Sequence, residues 1–416
     1  MNQKIKVLVY PAGTEIGLEI AKALKWQKKI EVHGGASIQD HSYYVYDHIV
    51  EISDIYASPT KAIKEVQQYV KKEKIDFIIP AHDQVVYELA HTGVKNVIGP
   101  EWPEAKVMRS KSLTYEYFEG KLNVPKIYKK PGEVHTFPVF IKPDQGQGSK
   151  GTRKIDSRLE LVTHRNNNEL ILEYLPGTEY TVDCFTDRHG NLRYTLVRER
   201  RKTSNGISTH SVAVVQLEAT YMARIISKRL SLRGQWFFQV KEKDGRLYLM
   251  EIANRASGTS CLARMRGVNL PLLSIYDRMG LDVEIMDQRF PTEVSRALEN
   301  KYTDIPEFDC VFVDYDDTMN YMILALLYKF KALGKKLYLI TRHEGLILEE
   351  LEKRSISKNL FDTIFRVMED QDKSYYISTL LQKYTGIFID DSHKERSEVA
   401  HLCPVFDVQQ AIELFL

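Results

Sequence analysis

Short apolar segments alternate with amphipathic segments at both ends of this chain of 416 residues, and this alternation limits how the chain can fold. Near the start, Lys6 to Tyr10 is typical of a buried strand and Glu15 to Trp26 of a helix. Near the end, Cys310 to Val313 and Gly386 to Ile389 are again apolar and strand-like. Strands that alternate with helices predict parallel sheets with right-handed crossovers. We therefore expect an α/β unit at each end.

The middle of the chain follows a different pattern, in which short strands are separated by turn dipeptides. These dipeptides stand at Pro131-Gly132, Pro176-Gly177, His189-Gly190 and Asp244-Gly245. Such turns predict antiparallel hairpins, so the middle is expected to be α+β.

The composition is that of a soluble globular protein. Hydrophobic residues make up 43% of the chain and charged residues 27%, which argues against long disorder. A net charge of +2 does not favour nucleic acid or a membrane surface, and no apolar run approaches the ~20 residues that cross a bilayer. The four cysteines are far apart and the first residues do not resemble a secretion signal, so we expect a cytoplasmic protein.

A lysine at the end of a strand, followed by a glycine-rich loop, is the most informative local motif. Val139 to Pro143 contains Lys142, and the loop runs from Asp144 to Gly151. Glycines let backbone N–H groups approach phosphate oxygens, and the lysine adds a positive charge. The motif alone is equally compatible with a flexible surface hairpin.

Later strands carry acids and amides at spaced positions. Glu173 lies in one apolar strand and Glu179 begins the next, while Gln239 and Glu251 lie in two strands joined by the Asp244-Gly245 turn. Oxygen ligands on paired strands suit Mg²⁺, which binds a few carboxylates together with substrate phosphates.

In their order along the chain, these motifs resemble the ATP-grasp superfamily, especially the branch with the large subunit of carbamoyl phosphate synthetase. The resemblance covers residues 1 to 290. Its segments are Pro11 to Gly17, Ile79 to Asp83, Ser110-Lys111, the Lys142 strand and loop, the Glu173 strand, Glu251 with Arg255, and Gly267 to Leu273. It implies an ATP- and Mg²⁺-dependent ligase that joins a carboxylate to an amine through an acyl phosphate.

The resemblance also implies a role for individual residues. Phosphate contacts would come from Lys111 and Lys142, beneath a loop that includes Gly146, Gly148 and Ser149. Adenine would be read by Glu173, Tyr174 and Leu175, and the ribose hydroxyls by Glu179. Mg²⁺ would be held by Gln239 and Glu251, and the transferring phosphoryl group stabilised by Arg255.

The metal motif departs from the superfamily at Asn254. The usual pattern is Glu-x-Asn, but Asn254 follows Glu251 by three positions and would face the opposite side of a regular strand. Either a bulge restores it as a metal ligand, or it is a turn residue.

Two arginines on one predicted strand are candidates for binding the substrate carboxylate. Arg198 and Arg200 are two residues apart and so share a face. The planar guanidinium can donate two parallel hydrogen bonds to a carboxylate. The alternative is a solvated strand stabilised by salt bridges.

Acidic residues follow apolar strands near the end of the chain. Asp314 and Asp316 come after one strand, Thr341 ends another, and Asp390 follows a third, with Lys373 in a polar stretch between them. The carboxyl ends of parallel strands meet in one crevice, where converging carboxylates favour a bound cation such as Mg²⁺.

This order resembles the haloacid dehalogenase superfamily over residues 305 to 416. The resemblance implies that Asp314 is the nucleophile that forms an aspartyl-phosphate and that Asp316 is the general acid and base. Thr341 and Lys373 would bind the phosphoryl group, and Asp390, alone or together with Asp391, would complete a Mg²⁺ site with Asp314 and Asp316. The intervals between motifs are too short for a large cap domain.

Together these features predict a multidomain α/β and α+β enzyme. The expected parts are a Rossmann-like pre-ATP-grasp domain at 1–105, an ATP-grasp domain at 106–290, a linker at 291–306 and a capless haloacid dehalogenase-like domain at 307–416. Expected partners are a small carboxylate, an amine and a phosphomonoester, with no nucleic acid or membrane, and self-association stays open. The alternative is a nucleotide-binding sensor with a non-catalytic C-terminal domain.

Overall fold

The computed structural model describes residues 4–146, 148, 150–164, 169–204, 206–368 and 370–416. It contains two compact units, Met1–Leu298 and Glu299–Leu416. Ser149, which was predicted to bind ATP, lies outside the described residues. Within the described ranges, no helix is long and apolar enough to cross a membrane.

The first unit begins with a parallel sheet, as the alternating pattern predicted. Its strands are β1 (Ile5–Tyr10), β2 (Ile30–Ala36), β3 (His48–Glu51) and β4 (Phe77–Pro80), in the order β3-β2-β1-β4. The helices of this part are α1 (Glu15–Leu24), α2 (Pro59–Glu73), α3 (Asp83–His91), α4 (Trp102–Arg109) and α5 (Lys111–Phe118). Helix α4 spans residue 105, where a domain boundary was expected.

Strand β1 is apolar throughout because both of its faces are covered. Val7 packs in a cluster with Leu24 from α1, and Leu8 packs in a second cluster with Val66 from α2. A parallel strand buried on two sides needs a continuous apolar run, which is the pattern seen in the sequence.

Two antiparallel sheets follow in the first unit. The smaller has β5 (Ile127–Tyr128), β6 (Val139–Pro143), β7 (Arg153–Ile155) and β8 (Glu169–Glu173) in the order β5-β8-β6-β7, with α6 (Arg158–His164). The larger has β9 (Glu179–Thr186), β10 (Leu192–Ser204), β11 (Ile207–Ala213), β12 (Gly234–Lys243), β13 (Arg246–Ala253) and β14 (Glu293–Ser295). Its order is β13-β12-β9-β10-β11-β14, and its helices are α7 (Leu217–Arg229), α8 (Cys261–Met265) and α9 (Leu270–Arg278).

Part of the segment predicted as a linker is a strand. Residues Glu293–Ser295 form β14 and pair with β11 at the edge of the larger sheet. Three residues are too few to give a periodic apolar signal, so the sequence pattern did not distinguish them from a linker. The two units separate after Leu298.

The second unit contains a parallel sheet in the order β17-β16-β15-β18-β19. Its strands are β15 (Cys310–Val313), β16 (Lys336–Thr341), β17 (Thr363–Arg366), β18 (Gly386–Ile389) and β19 (Val405–Phe406). Its helices are α10 (Tyr321–Ala332), α11 (Ile347–Lys353), α12 (Lys373–Leu381), α13 (His393–Val399) and α14 (Val408–Phe415). The edge strands β17 and β19 escaped prediction because they are short and only partly buried.

Candidate functional site

A pocket in the first unit is lined by both antiparallel sheets. The smaller sheet and its loop contribute Phe140, Lys142, Gly146, Gly148, Leu172 and Glu173, and the following turn contributes Tyr174 and Leu175. The larger sheet contributes Glu179, Arg200, Gln239, Lys241, Met250 and Glu251, and Lys111 comes from α5. The structure thus brings together the described residues that were predicted to bind ATP.

Lys142 lies at the buried end of this pocket. Its Nζ donates a hydrogen bond of 2.7 Å to the hydroxyl of Tyr115, which in turn donates to the carbonyl of Met250 at 2.9 Å. Burial, together with the nearby charge of Lys111, lowers the pKa of Lys142 to about 7. A buried ammonium with few anionic partners in the free protein is suited to an anionic ligand.

The glycine-rich loop is tied to the start of α5. The Nζ of Lys111 donates to the carbonyls of Asp144 at 3.3 Å and Gly146 at 3.1 Å. The carboxylate of Asp144 accepts hydrogen bonds from Ser110 Oγ at 2.7 Å and from the Ser112 N–H. Lys111 and the loop therefore lie on the same side of the pocket, as phosphate binding requires.

The two glutamates assigned to the nucleoside are held by cations. Glu173 forms an ion pair with Lys243 and accepts a hydrogen bond from the Lys126 N–H at 3.1 Å. Glu179 is 2.8 Å from Arg200 Nη1. These partners orient both carboxylates in the pocket wall, although neither contact tests the assignment to adenine or ribose.

Gln239 and Glu251 stand directly opposite each other on β12 and β13. Both line this first pocket, where ATP was predicted to bind, and a second pocket next to it. An amide oxygen and a carboxylate side by side form a donor set that suits Mg²⁺. The residues present at this point therefore fit the metal that the fold implies.

Asn254 does not belong to this donor set. A bulge places Met250 as the extra residue, and pairing is regular from Glu251 to Ala253, so Asn254 turns to the opposite face. Its Nδ2 donates to the carbonyl of Gln235 at 2.6 Å in a buried site. The bulge lies before Glu251, so it does not bring the predicted ligand Asn254 to the face of Gln239 and Glu251.

The second pocket is bounded by the ends of parallel strands β1 and β4 and by the larger sheet. Its wall includes Gly13, Thr14, Ile16, Ala81, His82, Asp83, Lys150, Arg200, Ile207, Phe237, Arg255, Ser257 and Thr259. Gly148, Lys150, Gly206, Arg200, Gln239 and Glu251 contribute to both pockets. The two pockets therefore adjoin at the predicted site of phosphoryl transfer.

Arg255 is held in this second pocket by Asp83, the first residue of helix α3. Its Nε and Nη2 each donate to Asp83 at 2.7 Å. Burial alone would raise the pKa of Asp83, but the facing guanidinium outweighs it and lowers that pKa to about 2. Burial also lowers the pKa of neighbouring His82 to about 4, so its imidazole is neutral at pH 7.

Arg198 and Arg200 differ in the structure although they share a face of β10. Arg198 is fully buried, and it donates to Asp183 from Nε at 2.7 Å and from Nη2 at 3.0 Å. It also contacts Ser257 and Thr259. Because these partners already occupy its donors, Arg198 supports the pocket wall, which argues against the predicted role as a clamp for a substrate carboxylate.

Arg200 retains a donor that a ligand could use. Its Nη1 contacts Glu179 and its Nη2 donates to the carbonyl of Gly206 at 2.6 Å. Its buried Nε–H has no partner among the described residues. Buried donors are normally paired, so an oxygen ligand at this point is a natural partner.

Comparison with known proteins agrees with this geometry. Residues 165–300 match a protein-family model described as ATP-grasp in the biosynthetic pathway with Ter operon. A search of curated protein sequences returned no match. Solved structures with the same architecture include the biotin carboxylase domain of Hydrogenobacter thermophilus 2-oxoglutarate carboxylase with MgADP, ADP and bicarbonate. That match has 15% identity and a TM-score of 0.58, covering 70% of this chain and 73% of the other.

The first unit has an ATP-grasp fold.

Two further structures have this ATP-grasp architecture. Carboxyaminoimidazole ribonucleotide synthase from Aspergillus clavatus, in complex with ATP, is 13% identical, with a TM-score of 0.57 over 69% of this chain and 80% of its own. An L-amino acid ligase from Bacillus licheniformis is 15% identical, with a TM-score of 0.53 over 66% and 74%. At these identities the likeness concerns the fold of the chain.

The second unit holds a separate cluster of acids at the carboxyl ends of β15 and β18. Lys373 Nζ is 2.7 Å from Asp314 Oδ1 and 2.6 Å from Asp390 Oδ2, and all three side chains are buried. Burial raises the pKa of Asp314 to about 6. Asp314, Asp390 and Asp391 each place an oxygen within 4.8 Å of the others, a spacing that could hold a metal ion.

Thr341 and Asp316 are the two other residues that were predicted to act with this cluster. Thr341 is fully buried at the end of β16, next to β15 in the sheet. Asp316 is half exposed and lies 2.8 Å from His343 Nδ1. Asp391 accepts a hydrogen bond of 2.9 Å from Thr318 Oγ1. Among the described acids, the metal-ligand spacing includes Asp391 and not Asp316, which had been predicted as a ligand.

Sequence reasoning missed several side chains that organise both sites. They are Tyr115 and Asp183 in the first unit and His343 in the second. Each is a single polar residue whose partner is distant in sequence, so no local pattern marks it. His82 and Asp83 did have a signal, because they come two and three residues after the end of the apolar strand β4.

Proposed function

We propose that the ATP-grasp unit is an ATP-dependent ligase that activates a carboxylate as an acyl phosphate and joins it to an amine. The observation that carries this proposal is the pair of adjoining pockets, which share Arg200, Gln239 and Glu251. A phosphoryl group passing from a nucleotide in one pocket to an acid in the other would cross this shared wall.

The cations of the two pockets fit the charge that moves in such a reaction. Lys142 and Lys111 lie on the nucleotide side, and Arg255 lies on the side of the second pocket. Phosphoryl transfer depends mainly on positioning and on stabilising charge at the phosphate oxygens. Arg255 is fixed by Asp83 before substrate arrives, so little reorganisation is needed.

Mg²⁺ would be held by Gln239 and Glu251, and when bound it supplies positive charge for the nucleotide phosphates. The protein orients these two side chains through the regular pairing of β12 with β13, which places Gln239 opposite Glu251.

The second pocket also suggests the kind of acid that is activated. Its wall combines Arg200 and Arg255 with the apolar side chains of Phe237, Ile207 and Ile16. This combination favours a carboxylate attached to an apolar body. The L-amino acid ligase of the same fold makes amino acids the first substrates to test.

The test is ADP formation by the purified chain with pools of carboxylates and amines, followed by product masses. A ligase forms ADP only when both an acid and an amine are present, and the product mass equals their sum minus water. If ATP binds but no pair stimulates ADP formation, the chain is a nucleotide-binding sensor instead.

We also infer that the second unit is a Mg²⁺-dependent phosphomonoesterase. The supporting observation is that Lys373 contacts both Asp314 and Asp390 at the carboxyl ends of adjacent parallel strands. Asp314 would attack the phosphorus while the ester oxygen leaves with a proton from Asp316, giving an aspartyl-phosphate that water then hydrolyses. Lys373 and Thr341 would bind the phosphoryl oxygens.

Mg²⁺ in this unit would be held by Asp314 and Asp390, with Asp391 as a further candidate, and would offset their mutual repulsion. The test is phosphate release from a panel of phosphomonoesters with and without Mg²⁺. Because the two units lie in one chain, we infer that they catalyse consecutive reactions, ligation and removal of a phosphate. The panel should therefore include phosphorylated amines and acids that the ligase could use.

A further inference from the structure

One face of the parallel sheet in the ATP-grasp unit carries a histidine pair and a glutamate that neither proposed activity uses. Glu31 and His33 lie two residues apart on β2, so they point to the same side. His48 is paired with His33 in the neighbouring strand β3. The two imidazole rings are stacked, with centroids 4.7 Å apart.

The ligand atoms of these three side chains converge. Glu31 Oε1 is 2.8 Å from His33 Nε2 and 4.0 Å from His48 Nε2. One oxygen or nitrogen from each side chain lies within 4.8 Å of the other two. Ligands about 2.0–2.2 Å from a tetrahedral Zn²⁺ ion lie roughly 3.3–3.6 Å from one another, so Glu31 and His33 would have to separate slightly and His48 would have to come closer. His48 can close the difference by rotating, because half of its side chain is exposed.

The buried histidine already has a partner on its other nitrogen. His33 Nδ1 is 2.8 Å from the hydroxyl of Tyr69, which α2 presents to this face. Histidines that bind metals nearly always use their second nitrogen in such a hydrogen bond, which fixes the direction of the ring. The position of Tyr69 leaves His33 Nε2 directed at Glu31 and His48.

We propose that Glu31, His33 and His48 form a binding site for a transition-metal ion of the Zn²⁺ class. Two imidazoles and one carboxylate suit Zn²⁺ and its neighbours better than Mg²⁺, which prefers oxygen ligands. Three protein ligands leave further coordination positions for water or for a small solvent ligand.

The proposed site is separate from both pockets. The second pocket uses residues after the carboxyl ends of β1 and β4, such as Gly13 and Ala81. Glu31 is the second residue of β2 and His48 the first of β3, so the cluster lies toward the amino ends of these parallel strands. A metal ion here would join the short edge strand β3 to β2 and stabilise the sheet.

One nearby cation opposes metal binding and offers a test. Lys6 Nζ is 3.4 Å from Glu31 Oε1, the same oxygen that a metal ion would use. Removing this charge in Lys6→Met should strengthen metal binding about two- to five-fold, the range expected for a partly exposed ion pair. If the three side chains form only a polar network that does not bind metal, Lys6→Met should not increase the affinity for metal.

The experiment uses Co²⁺ as a spectroscopic probe of the full chain, with excess Mg²⁺ present to occupy the oxygen-rich sites. Four- or five-coordinate Co²⁺ with imidazole ligands absorbs visible light, whereas hexa-aqua Co²⁺ absorbs only weakly. We expect one Co²⁺ per chain with this absorption, its displacement by Zn²⁺, and a rise in melting temperature on binding.

The variants His48→Ala and Glu31→Gln should abolish the absorption while keeping the circular dichroism of the wild type. The matched control is His189→Ala, because His189 is also an exposed histidine beside an acid, 3.4 Å from Asp282, and should change nothing. A wild type without the visible band, or a band that survives in both His48→Ala and Glu31→Gln, overturns the proposal.

Discussion

The ammonium of Lys142 donates a 2.7 Å hydrogen bond to the hydroxyl of Tyr115 at the buried end of the nucleotide pocket. Neither residue is exposed, and burial lowers the pKa of Lys142 to about 7. The pocket therefore holds a lysine that is only partly charged at neutral pH until an anionic ligand arrives.

This arrangement predicts a pH-dependent stability. The folded-state pKa of Lys142 lies below the unfolded value near 10.4, so between about pH 7 and pH 10 the unfolded chain binds more protons and stability rises with pH. Lys142→Met removes this contribution. The variant should be more stable than wild type by up to a few kcal/mol below pH 7, and the difference should fade toward pH 10. Urea unfolding at several pH values measures it, and an unchanged or opposite trend contradicts the assignment.

The same lysine should control nucleotide binding. Lys142→Met should weaken ATP binding or phosphoryl transfer, because the β- and γ-phosphates lose a buried cation. In the wild type, ATP affinity should fall as pH rises above about 7, since the lysine must take up a proton to bind the phosphates. Isothermal titration in two buffers of different ionisation enthalpy measures this proton uptake. The variant should show none.

Substitutions at Glu251 and Asn254 should have different effects, the first on turnover and the second on stability. Glu251→Gln should remove most Mg²⁺-dependent ADP formation, because it takes a carboxylate from the shared wall of the two pockets. Asn254→Ala should keep turnover but lower the free energy of unfolding by about 1 kcal/mol, since it loses the buried hydrogen bond to the carbonyl of Gln235. Loss of turnover in properly folded Asn254→Ala would restore Asn254 as a metal ligand.

The two arginines of β10 should behave differently. Arg200→Lys should raise the KM for the acid far more than the KM for ATP, because a lysine ammonium cannot keep the contacts to Glu179 and Gly206 and also offer a donor where the unpaired Nε–H of Arg200 lies. Arg198→Met should destabilise the fold by about 3–5 kcal/mol, since Asp183 would remain buried without its cation. Equal effects of Arg200→Lys on both substrates would favour a purely structural role for Arg200.

Asp314→Asn should separate the activities of the two units. Asparagine keeps the shape of the side chain but removes the nucleophilic charge, so phosphate release should drop by orders of magnitude. ADP formation with an acid and an amine should survive, because the described residues that line the two pockets all lie in the first unit. Phosphate release and ADP formation are measured on the same preparations. If the Asp314→Asn variant releases phosphate as fast as the wild type, Asp314 is not the nucleophile.

Local patterns along the chain were sufficient to predict the main features of the fold. Alternating strands and helices predicted the parallel sheets that begin and end the chain, and turn dipeptides predicted the antiparallel middle. The order of the lysine strand, glycine loop and acidic strands predicted the ATP-grasp fold of the first unit. These features are visible in sequence because apolar periodicity and turn residues act over a few neighbouring positions.

Only the tertiary structure decided which partner each charged residue meets. Arg198 was expected to bind substrate, but strand register places it on Asp183, 15 residues away, and Arg255 meets Asp83 across 172 residues. The position of one bulge, before Glu251 and not after it, turned Asn254 away from Gln239 and Glu251. Register, bulges and packing between distant segments are set by the whole folded unit. Spacing along the chain therefore indicated which residues were candidates but not which partners they contact.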